Sequence, residues 1–160
     1  MVIGALALQS TLLVHFTIAG VIPQLVLVVI VSLSFVDGPR VGAATGFFGG
    51  LLIDLLIPQS IVGISCLVYS LVGYAVGTFR QYAPADSVWT PLLAVAISSF
   101  VAEAGYALLA VILGEPWVSI DYTLRVIGLV TLYNCLLTPF VFPTVRRVAK
   151  RVRPDRVYRW

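Results

Sequence analysis

The stretch 40–57, RVGAATGFFGGLLIDLLI, decides how the rest of this chain is read. Gly42, Gly46, Gly50 and Asp54 recur at every fourth position, so on an α-helix they follow one oblique ridge, with Gly49 on the face beside them. That ridge has almost no side chains. Lipid tails are as apolar as leucine, so helices in a bilayer associate through close van der Waals contact, and small residues at this spacing let backbones approach. Each step of four residues turns about 40° around the axis, which sets Asp54 at the edge of the glycine face, able to point into protein. Two readings follow: a packing seam that tolerates one acid near a membrane surface, or an intramembrane carboxylate that anchors a partner elsewhere in the chain.

Composition requires a membrane. Of 160 residues, 60% are hydrophobic and 11% charged, against about 25% charged in soluble domains, so a water-facing surface could not be covered. The expected fold is an all-α integral membrane protein, a compact bundle of six transmembrane helices over 1–143 followed by a basic cytoplasmic tail over 144–160. No Lys or Arg precedes Arg40, so the apolar N-terminus lacks the positive region of a signal peptide and is read as a retained span. Cys66 and Cys135 lie in apolar segments without CxxC or Cys/His spacing, which gives no support to a metal site or redox chemistry.

The six spans are placed at Val2–Ala19, Pro23–Val36, Val41–Ile57, Ile61–Phe79, Trp89–Leu113 and Leu124–Phe142, each near the ~20 residues a membrane helix needs, the second being short. Pro23 suits the first turn of the second helix, where its missing N–H costs nothing. Asp37-Gly38-Pro39 and Pro58-Gln59-Ser60 are tight turns, so the helices between Pro23 and Phe79 are antiparallel neighbours. With both termini in the cytoplasm, nine of the ten basic residues face inward and only Arg125 faces out, which is the orientation the positive-inside rule selects.

Depth then groups the polar residues. His15, Asp54 and Glu103 all fall in the outer half, and Arg125 enters at the same level, so the four could form a cluster in which Arg125 neutralises a carboxylate. The alternative is that Arg125 snorkels to headgroups, Glu103 is protonated and His15 is a satisfied core residue. Gly73 and Gly77 give the fourth span a small-residue face to match the third. Pro139, in the sixth, predicts a kink near Asn134 or Cys135, because a proline frees a carbonyl one turn earlier. In the tail, Val145, Val148, Ala149 and Val152 alternate at helical spacing with Arg146, Arg147, Lys150, Arg151 and Arg153. Such a segment either lies on anionic lipid or serves only to fix topology. It offers no folded surface for reading nucleic acid.

Enzymatic constellations are missing. Gly63-Ile64-Ser65-Cys66 lacks the second small residue of a rhomboid-like serine motif, Asp54 has no GxGD setting or second intramembrane aspartate, and neither HExxH nor a phosphate loop occurs. A single His excludes a two-histidine metal site. No cofactor and no enzymatic activity are expected.

One family pattern does fit. Gln9-Ser10, Pro23-Gln24-Leu25-Val26-Leu27, Gly38-Pro39-Arg40-Val41-Gly42 and the run Gly46-Phe47-Phe48-Gly49-Gly50-Leu51-Leu52-Ile53-Asp54, continued by Gly63, Tyr69, Tyr74 and Gly77 and weakly by Tyr133-Asn134, resemble the rod shape-determining MreD family over nearly the whole chain. Gln24 departs from it, since the family often has Asp after the proline; any role of that acid does not carry over. The resemblance implies a non-enzymatic scaffold of the cell-elongation complex in the bacterial cytoplasmic (inner) membrane. Such a protein binds MreC and works with RodA, a class B penicillin-binding transpeptidase and the MreB cytoskeleton in sidewall peptidoglycan synthesis. It also implies a fold similar to the S-components of energy-coupling-factor transporters, and hence a rival reading as the small-molecule-binding subunit of a vitamin transporter. Against that rival, Ala5, Ala7 and Ala19 do not form the AxxxA docking pattern of S-components, and 58–60 is shorter than their ligand-gripping loops.

Overall fold

A computed structural model describes residues 2–11, 24–56, 62–82, 89–114 and 120–152. Six α-helices hold almost all of them: α1 (Val2–Thr11), α2 (Leu25–Asp37), α3 (Pro39–Leu56), α4 (Ile64–Phe79), α5 (Trp89–Ile112) and α6 (Ile120–Val152). A 3-10 turn, Arg80–Tyr82, extends α4. The break between α2 and α3 is one residue long. Gly38 takes φ +93° there, a conformation that L side chains avoid, and Pro39 follows at the first position of α3, where its lack of an N–H is harmless.

The core is α2. Every residue from Leu25 to Ser34 is buried, as expected of a helix that is apolar all round and lies inside the bundle. Its two serines do not spoil this, because the Ser32 and Ser34 hydroxyls donate to the carbonyls of Val28 and Ile30 at 2.7 Å each. The other five helices all pack against α2, and α3 and α4 form the most extensive pair. Outside, α5 presents Leu93, Ile97, Phe100 and Leu108, and α6 presents Leu132, Leu136 and Phe140. A shell of large exposed apolar side chains on this scale belongs in lipid.

Among the described residues, two helices are long and apolar enough to cross a membrane by themselves: α5, and the stretch Thr123–Ala149 within α6. The apolar α2 has 13 residues, about 20 Å of rise, which is less than the ~30 Å hydrocarbon core.

The sixth helix differs from its expected end at Phe142. It continues through Pro139 and Pro143 to Val152. Its packing also continues: the Phe142 ring meets Phe35 edge-on at 5.8 Å, and Val145 and Ala149 are only 2% and 7% exposed. The threonine hydroxyls beside the prolines donate to carbonyls one turn back, Thr138 to Asn134 at 2.7 Å and Thr144 to Phe140 at 2.8 Å, as Ser and Thr commonly do inside helices. The first part of the tail is therefore an extension of α6 seated on the bundle.

Candidate functional site

The glycines of α3 lie against the backbone of α4. A Cβ added at Gly42 would strike the Gly73 carbonyl, one at Gly46 would come within 2.6 Å of the Tyr69 carbonyl carbon, and one at Gly50 would come within 2.5 Å of that of Ser65. Contacts this close to main chain cannot be relieved by a rotamer change. The pairing steps along both helices one turn at a time in opposite directions, and it ends where Gly77 sits on Pro39, 2.5 Å from its Cα if a methyl were present. Gly49 faces the other way, toward Ile30 and Val26 of α2. The close approach brings α4 side chains onto α3 carbonyls, Ser70 Oγ donating to Ala43 at 2.9 Å and Cys66 Sγ to Phe47 at 3.4 Å.

Asp54 completes the same ridge. It is 1% exposed, and its Oδ2 accepts from the backbone N–H groups of Gly63 at 2.7 Å and Cys66 at 3.4 Å. Those are the free donors at the start of α4. Gly63, at φ +114°, supplies no capping side chain of its own. A carboxylate from the neighbouring helix thus caps α4 and meets the positive end of its dipole.

A second polar network gathers near the start of α2. Gln24 occupies its centre: its Nε2 donates to Glu103 Oε1 at 2.5 Å, its Oε1 accepts from the Tyr69 hydroxyl at 2.8 Å, and its backbone N–H donates to Asn134 Oδ1 at 3.2 Å. Asn134 Nδ2 donates in turn to Ser99 Oγ at 2.8 Å, and Gln9 Oε1 accepts from the Val26 N–H at 3.1 Å. Groups from α1, α2, α4, α5 and α6 are joined by these bonds, and they satisfy two N–H groups at the start of α2 that the helix itself cannot. Among the described residues, Thr131 Oγ1 is the one buried side-chain oxygen or nitrogen lacking a partner.

Of the four residues grouped by depth, Asp54, Glu103 and Arg125 fall among the described side chains. Asp54 is held by α4 amides and Glu103 by Gln24, and Arg125 is exposed. His15, Pro23 and the Lys150 side chain lie outside the described residues. Pro139 is exposed within the unbroken α6. Arg146, Arg147 and Arg151 are exposed on the α6 extension. Gln24, Tyr69 and Ser99 were not singled out as site residues by sequence reasoning. The available signal was the bare start of α2, whose amides need acceptors from other helices once buried.

An all-helical membrane protein in which close-packed glycines and inward-facing polar groups tie the helices to one another is the class this arrangement defines. Among the described residues, no three His, Cys, Asp or Glu side chains gather to hold a metal. The chain belongs to the MreD family: the family model for rod shape-determining protein MreD matches residues 1–148. Membership assigns it a role in rod shape determination, in a family of shape-determining structural proteins. No curated protein and no solved structure matches the chain.

Proposed function

We propose that this chain is a non-enzymatic scaffold of the bacterial elongation complex. It binds MreC and thereby supports sidewall peptidoglycan synthesis by RodA and a class B penicillin-binding transpeptidase, in register with the MreB cytoskeleton. It sits in the cytoplasmic membrane as a six-span bundle with both termini inside, the orientation favoured by Arg40, Arg80, Arg146, Arg147 and Arg151 at one end and Arg125 at the other. One observation carries the reading: the polar side chains of the interior are spent on neighbouring helices, Asp54 on α4 and Gln24 on Glu103, Tyr69 and Asn134. The glycine ridge is likewise occupied by α4, so a partner's membrane helix docks on the outward apolar faces through van der Waals contact. Affinity purification of the tagged full chain in mild detergent tests this. Recovery of a single-span MreC-type protein is the expected result. A chain that returns without it but with a bound vitamin supports the transporter-subunit reading instead.

A further inference from the structure

The end of the bundle that carries the α2–α3 turn, the end of α4 and the α6 extension concentrates positive charge. Arg80 donates to the Val36 carbonyl, with Asp37 and Arg146 both close enough to act on its charge. Arg40, Arg146, Arg147 and Arg151 are exposed around them. Among the described residues, Asp37 is the one acid at this end. Val145 and Ala149 are buried on one side of the same two turns, which sets Arg147 and Arg151 on the far side and Arg146 on the flank.

Their depth can be read from the helix. Arg146, Arg147 and Arg151 lie about 6, 8 and 14 Å beyond Phe142 along the α6 axis. Headgroup zones extend roughly 5–8 Å past each face of the hydrocarbon core, and arginine stems reach back toward that level. Tyr82 and Trp89, 75% and 71% exposed at the same end, are residue types that settle at the membrane interface.

From this placement we infer that the α6 extension and Arg40 form a binding surface for the phosphate headgroups of acidic phospholipids. A guanidinium presents a planar fork of donors suited to phosphate oxygens, and here several forks face one headgroup layer, with Asp37 the one acid among the described residues at that end. The surface is independent of which partner docks on the apolar faces. Only the assignment to the cytoplasmic leaflet rests on the orientation given above.

Native mass spectrometry of the detergent-purified full chain, titrated with phosphatidylglycerol against phosphatidylcholine, tests the inference. The native chain is expected to prefer phosphatidylglycerol, and R146Q/R147Q/R151Q to lose about fivefold of that preference per arginine removed. R125Q, at the other end, is expected to keep it, and circular dichroism of each variant checks that the helices remain. Retention of the preference by the triple variant, its equal loss in R125Q, or binding of soluble polyglutamate in place of lipid overturns the proposal. Should the triple variant lose helix content, R40Q alone decides: an unchanged preference counts against the surface, and a loss of about fivefold supports it.

Discussion

At the residue scale the two intramembrane acids have different tasks. Asp54 replaces a missing N-cap, so Asp54→Ala is expected to destabilise the bundle by about 1–2 kcal/mol, while Asp54→Asn, which retains an acceptor, should cost less. Thermal unfolding in detergent measures both. Arg125→Gln should leave the same melting temperature unchanged, because Arg125 is exposed; a drop equal to that of Asp54→Ala would support the ion pair. Gln24→Ala removes two hydrogen bonds at once, those of its side chain with Glu103 and with the Tyr69 hydroxyl. Unsatisfied buried groups cost about 1–3 kcal/mol each, so this variant is expected to melt lower than Asp54→Asn. The presence of an acid in the membrane was legible in the sequence, since hydropathy alone exposes it. Its partner was not, because backbone amides carry no sequence signature and become available only where a helix happens to begin, as α4 does at Gly63.

At the element scale, the spacing of Gly42, Gly46 and Gly50 marked a side-chain-poor strip, and the short link after Leu56 made α4 its natural neighbour. What spacing could not convey is how little clearance remains. Gly46→Ala places a methyl 2.6 Å from Tyr69 main chain, so even this smallest change should separate α3 from α4 and lower the melting temperature. Gly128, whose added Cβ meets nothing within 4 Å, is the control: Gly128→Ala lies in a helix interior and should be neutral or stabilising by up to about 1 kcal/mol. The end of α6 was hidden for a related reason. Proline and a run of arginines suggest a boundary, yet Val145 and Ala149 find a buried seat that only the assembled bundle provides.

On the scale of the whole molecule, the proposed scaffold role makes packing the means of action. Such a protein transmits its effect by holding a shape, so damage to the seam and loss of the partner should occur together. Gly46→Leu and Gly128→Leu, compared in the tagged full chain for detergent melting temperature and for recovery of the single-span partner, test this most directly. The account predicts that Gly46→Leu lowers the melting temperature and loses the partner while Gly128→Leu retains its stability; a Gly46→Leu chain that melts normally and still brings the partner down would contradict it.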